Sequence, residues 1–296
     1  MQYRFKHKKQ NTSGQALLIV LLSLAVVLIV VLFIVSRSIT DISITTKEED
    51  SLRAFSAAEA GIERALIIGS DTGNLTIGDA TFSADISDFA QGSESVAYPF
   101  NLKSGEYATF WFVGHNNDGS LGCGEESCFS ARLMKVCWGE PGTSNSSAQT
   151  PAVEVSVVYA NTAGDYSTLR IGRMAIDPFV GRNNNFINPA GNCTIGDQTY
   201  AFSKVVNFPN DLSISNYATN NVLQYSTIRM LYNTTNSHRI GIDVSATNDT
   251  LPSQGVRVES LGTYANANRR IEVFQLHPQI PSVFNSLVFG ANGITK

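Results

Sequence analysis

Acidic residues are missing from positions 1–14, and charge of either sign is missing from Ala16–Val35. Charge is also sparse overall, at 16% of 296 residues. The sequence has no His-Glu-x-x-His, no Gly-x-Ser-x-Gly and no phosphate-binding Gly-rich loop ending in Lys-Ser/Thr, so the commonest hydrolase and nucleotide signatures are excluded. The four histidines, His7, His115, His238 and His277, are scattered. The four cysteines, Cys123, Cys128, Cys137 and Cys193, lack the paired short spacings of a structural zinc site. No cofactor and no enzymatic activity are expected. Four of the 21 Lys and Arg lie in residues 1–14, leaving 17 against 25 Asp and Glu, a net of −8 for the remainder. An acidic body is a poor ligand for phosphate backbones, so no nucleic-acid partner is expected.

What is present is a twenty-residue apolar run, Ala16–Val35, interrupted only by Ser23. At roughly 1.5 Å per residue a helix of this length spans about 30 Å, the hydrocarbon thickness of a bilayer. Backbone groups in lipid must satisfy one another, so a single span is a helix, and its partner is membrane lipid. Arg4, Lys6, Lys8 and Lys9 precede it, which places the N-terminus in the cytoplasm and the head outside. The localisation expected is a single-pass cytoplasmic membrane protein. A cleaved secretory signal would have a shorter core and a small-residue site; here the run leads straight into Ser36-Arg37-Ser38. A plain signal anchor accounts for the charges and the span.

Residues 36–54 carry Ile39, Ile42 and Ile44 among Ser, Thr and charge, and these β-branched residues predict a bent or loosened helix. Beyond them, Leu52, Phe55, Ala58 or Glu59, Ile62 and Leu66 recur at three- and four-residue steps and predict an apolar helix face. Glu49 and Arg53 are spaced for an i,i+4 ion pair. Gly69, Ser70, Asp71 and Gly73 end the helix.

From about residue 75 short alternating runs predict ten strands: 81–86, 107–113, 129–138, 153–159, 168–176, 200–208, 222–232, 239–244, 256–264 and 269–276. The fold class is α+β, a long N-terminal transmembrane and amphipathic helix followed by a mostly antiparallel, β-rich head. The division expected is a basic leader at 1–14, a helix at 15–68 and a head at 75–296, with a break between lobes or one long loop near 181–192. Two disulfides suit an exported head, and four cysteines allow three connectivities. A 123–128 loop would leave Cys137 and Cys193 to pair across the head. Closing a loop of that length stabilises by about 4 kcal/mol on the chain-entropy model. Asn117 and Asp118, near Glu125 and Glu126, form an oxygen-rich turn that is a weak calcium candidate beside its ordinary reading as turn chemistry. The aromatics Tyr107, Trp111 and Trp138 are read as core, with ligand stacking the lesser alternative.

Two motifs resemble a known family. In Ser13-Gly14-Gln15-Ala16-Leu17-Leu18 a basic leader ends in a glycine that abuts the apolar run, and this resembles the class III leader of type IV pilins and pseudopilins. The resemblance implies cleavage between Gly14 and Gln15 by a prepilin peptidase. Ala54-Phe55-Ser56-Ala57-Ala58-Glu59-Ala60-Gly61 resembles the end of the N-terminal helix of PilX-type minor pilins. Ala57, Ala58, Ala60 and Gly61 would then allow close approach of helix to sheet. The segment from Val256 through Ser260-Leu261-Gly262 to Arg269-Arg270 is similar to the closing hairpin of such heads, which would lie against that helix. Together the motifs imply a pilin-like fold and a structural subunit at or near the tip of a type IV pilus or secretion filament. Its partners would be other pilin or pseudopilin subunits, and its role assembly or adhesion. The first mature residue is Gln and the fifth, Ile19, stands where major pilins have glutamate, a departure familiar among minor pilins.

Overall fold

The computed structural model describes residues 13–116, 118–124 and 126–279. In chain order the elements begin with helix α1 (Ser13–Ile68) and strands β1 (Leu75–Ile77), β2 (Ala80–Asp88), β3 (Ser95–Ala97), β4 (Tyr107–Trp111), β5 (Gly114–His115) and β6 (Leu121–Gly122). They continue with β7 (Leu133–Trp138), β8 (Ala152–Ala160), β9 (Leu169–Ile176), β10 (Cys193–Ile195), β11 (Gln198–Tyr200) and β12 (Phe202–Asn207). After the short helix α2 (Phe208–Leu212) come β13 (Leu223–Leu231), β14 (Ile240–Asp243), β15 (Gly255–Tyr264) and β16 (Ala267–Leu276). One long apolar N-terminal helix followed by mostly antiparallel sheet is the α+β layout expected. Each of the ten runs expected to be extended contains a strand.

The chain forms two compact units. Unit 1 is Met1–Asp85 with Glu259–Ile271, and unit 2 is Ile86–Val258 with Glu272–Lys296. Residues 181–192, the candidate break, lie inside unit 2. The start of this segment carries a clamp. Asp177, almost fully buried, accepts hydrogen bonds from Phe179 N–H, Arg182 and the Asn184 amide at 2.6–2.8 Å. The Arg182 guanidinium also donates to Thr150 O at 2.7 Å and stacks on the Tyr232 ring at 4.0 Å.

Unit 2 holds two four-stranded sheets, ordered β12-β7-β14-β3 and β4-β13-β8-β9. The strand pairings within them are antiparallel. β8 (AVEVSVVYA) shows why these segments form strands with one buried face: β-branched residues at alternate positions bury Val153, Val155 and Val157 while Glu154 and Ser156 turn outward. Both sheets contribute to one core, which includes Phe110, Phe112, Met134, Trp138, Ile228 and Ile242. This is a sandwich.

In unit 1, α1 continues without a break from Ser13 to Ile68. The loosening expected from Ile39, Ile42 and Ile44 does not occur. The threonines of that stretch keep their hydroxyls satisfied within the helix: Thr40, Thr45 and Thr46 each donate to the carbonyl four residues back at 3.0 Å. Gly69 ends the helix at φ 67°, its N–H donating to Ala65 O at 2.8 Å, as a left-handed cap requires.

Candidate functional site: the anchor helix and its small-residue face

Helix α1 divides into two stretches. From Gln15 to Glu49 every residue is exposed, including the whole apolar run. Leu17, Ile29 and Phe33 each show about two-thirds of their surface to the outside. The helix is long and apolar enough to cross a membrane. A continuous apolar surface of this size on a lone chain marks a contact with lipid or protein.

From Ala54 onward one face is seated. Ala54, Ala57, Ala58, Gly61, Ile62 and Ala65 are buried, and they recur at steps of three and four. The face expected from periodicity, Leu52, Phe55, Ala58 or Glu59, Ile62 and Leu66, is therefore corrected. Leu52 and Phe55 point out, with 67% and 42% exposure, and Glu59 is exposed. The large apolar residues are displaced because the sheet backbone comes too close for them. A Cβ at Gly262 would collide with the Ala54 carbonyl and would meet Ala58 N at 2.5 Å. A Cβ at Gly61 would collide with Ser260 Oγ and touch Phe82 at 3.0 Å. The strands present mostly small residues: Ala80 and Ala84 face inward along β2 on either side of Phe82, as do Ser260 and Gly262 along β15, while Leu261 turns outward.

Of the motif residues, Ala54, Ala57, Ala58 and Gly61 make this close approach, and Ala60 packs half-buried beside the Ala57, Ala80 and Phe82 cluster. The β15–β16 hairpin lies against α1 within unit 1. Arg53 donates to Glu49 at 2.6 Å, the i,i+4 pair expected, and to the Tyr264 hydroxyl at 3.0 Å. Its guanidinium also covers the Tyr264 ring at 4.9 Å. Arg269 donates to Ser51 Oγ through both Nε (2.8 Å) and Nη2 (2.5 Å). Only the register of helix on hairpin pairs these residues, so no local signal announces them. Gly14 and Gln15 are helical residues at the start of α1.

The remaining candidates lie in unit 2. Cys123 bonds to Cys128, and Cys137 bonds to Cys193, which ties β7 to β10. Asn117 and Glu125 lie outside the described residues. Asp118 is spent on a local turn, accepting Ser120 N–H at 2.9 Å and the Ser120 hydroxyl at 2.6 Å. These bonds hold its carboxyl below the usual range. Among the described residues no group of three or more His, Cys, Asp and Glu is placed to hold a metal. Trp138 is fully buried, its Nε1 donating to Pro151 O at 2.9 Å, and Trp111 is largely buried.

One cluster escaped the sequence reading because its members are far apart in the chain. The His115 and His277 rings stack at 3.6 Å, and Trp111 meets His115 edge-on at 4.5 Å. Burial, with His277 beside it as the second cause, lowers His115 to about 4, and burial also lowers His277.

No family model, curated protein or solved structure matches the chain.

Proposed function

We propose that this chain is a structural filament subunit of the minor-pilin or pseudopilin kind, held in the cytoplasmic membrane by α1 until assembly. The supporting observation is the division of α1, apolar and wholly exposed over its first half and fitted by small residues to a sheet over its second half. A membrane anchor alone requires the first half only. A helix that later leaves lipid for a bundle of like helices must be apolar over a bilayer's length and must carry its folded head on the remainder. Exchange of lipid for protein neighbours then leaves apolar burial nearly unchanged.

In this reading the leader faces the cytoplasm and a prepilin peptidase cuts between Gly14 and Gln15. The head is extracytoplasmic and stands at or near a filament tip, supporting assembly or adhesion. Its contribution is structural, with no catalytic step. The test is the mature N-terminus of the membrane protein, measured by mass spectrometry in cells with and without prepilin peptidase. A Gln15 start that disappears with the peptidase is expected, together with recovery of the protein in sheared filaments. An intact Met1 start in both strains overturns the processing and leaves a single-span surface protein with a β-rich binding head.

A further inference from the structure

The two sheets of unit 2 end in four edges, and three are guarded. β9 carries Arg170 and Arg173, and β12 carries Lys204. Charged side chains on an edge discourage strand addition. β4 is capped at its end by a buried side chain: Trp111 N–H donates to Gln254 Oε1 at 2.7 Å, and Gln254 Nε2 donates back to Trp111 O at 3.0 Å. The fourth edge, β3, reads Ser-Val-Ala and has neither device.

β3 pairs with β14 in the register Ala97 to Gly241, Val96 to Ile242 and Ser95 to Asp243. Its ladder bonds fall on even positions, Tyr98 N–H to Ile240 O at 2.9 Å and Val244 N–H to Glu94 O at 2.7 Å. In an antiparallel pair the intervening residues turn their N–H and C=O the other way. Ser95 and Ala97 thus direct their main-chain groups outward, and neither makes a hydrogen bond among the described residues. Both residues are half-buried, and an edge strand presents such main-chain groups as a template for a further strand.

A cavity of about 590 Å³ lies along this edge. Its charged lining residues each have a counter-charge, Arg239 in Glu140 at 2.7 Å and Glu272 in Arg257, although Arg239 Nε is buried without a hydrogen-bond partner among the described residues. Phe89 and Phe274 meet edge to face at 4.9 Å and form an apolar wall. Gln198 accepts the Tyr200 hydroxyl at 3.2 Å, which leaves its amide N–H groups to donate. The cavity lining thus offers main chain, apolar ring and neutral polar groups, with the Arg239 Nε–H as a further donor.

We propose that this cleft binds an extended, uncharged peptide segment of a partner protein, which pairs with Ser95 and Ala97 as an outer strand and lays an apolar side chain against Phe89 and Phe274. Main-chain bonds supply the affinity, and alternate side chains supply the selectivity. A charged segment is disfavoured because Arg239 and Glu272 have their counter-charges already.

The test is amide hydrogen exchange of the full chain in detergent, with and without a short end-capped peptide alternating Thr with Val or Phe. The peptide is expected to slow exchange at Ser95 and Ala97 by about tenfold or more, the effect of one ordinary hydrogen bond. The same peptide N-methylated at the residues whose N–H groups would pair with β3 is expected to have no effect. Ala97→Pro removes an outward donor and no bond to β14, and should abolish the protection while Val96 stays protected. Unchanged exchange, or equal slowing by the N-methylated peptide, overturns the proposal. Protection of Ser95 and Ala97 in the protein alone also overturns it, because the edge is then filled by this chain.

Discussion

Unit 2 closes around its largest side chains: Trp138, Tyr200, Phe110, Phe112, Phe129 and Phe208 are all essentially without exposure. Unit 1 closes around its smallest, Ala54, Ala57, Ala58, Gly61 and Gly262, and leaves Leu52 and Phe55 outside. The two interiors answer different geometric demands. Two sheets facing each other stand about 10 Å apart and need bulk to fill the gap. A helix lying on a strand at backbone contact needs the gap removed. In unit 1 the informative residues are therefore the small ones, and hydrophobicity is a poor guide to which face is buried.

The contrast breaks most sharply at Trp138. Trp138→Ala leaves a cavity in the shared core and strands Pro151 O, and it should cost about 3–5 kcal/mol by urea denaturation. A loss below about 1 kcal/mol would mean the sandwich does not depend on bulk. Next are the disulfides. Cys137–Cys193 joins residues 56 apart and Cys123–Cys128 residues 5 apart. Paired Cys→Ala replacement should cost about 4 kcal/mol at the first and about 2 kcal/mol at the second on the loop-entropy model. Equal losses would assign the stabilisation to contacts rather than to loop length.

The unit 1 half of the comparison is tested by enlargement. Gly61→Leu pushes against Ser260 and Phe82 and should cost about 1–3 kcal/mol, whereas Phe55→Ser should change stability by no more than about 0.5 kcal/mol. The reverse order would mean that the alanine face is not the contact. The smallest expected effect is a pH dependence confined to unit 2. Burial lowers His115, His277 and His238 in the fold, so the folded state binds fewer protons than the unfolded chain. Their contribution is complete above the ordinary value of 6.5 and is lost as pH falls from there toward about 4, the value for His115. His115→Phe keeps a ring against His277 and should flatten part of that acid slope. An unchanged slope would remove the stacked pair from the titration.

Much of this architecture was legible because it is local. The apolar run, the ten alternating segments and the glycine at the end of α1 are patterns within a few residues of one another. The strands left unpredicted, β1, β3, β5, β6, β10 and β11, are two or three residues long, too short to show a period. Residues 181–192 read as a break or as one long loop from their Gly and Asn, and the bonds of Arg182 to Thr150 and its stacking on Tyr232 involve partners that no local reading supplies. The loosening expected at 39–44 followed from intrinsic helix propensity, a weak preference that a long helix overrides.

The sequence by itself determined that the chain begins with a helix long and apolar enough to cross a membrane, that a β-rich body follows, and that four cysteines sit in that body. Composition and short-range periodicity carry those facts, because lipid solubility, helix formation and strand formation each depend on neighbouring residues. The tertiary structure alone decided which cysteines pair, which face of α1 is seated and which sheet edge lacks a strand partner among the described residues. Those outcomes depend on which backbone comes near which, and Gly262 beneath Ala54 and Ala58, or Gln254 at the end of β4, exist only once distant segments have met.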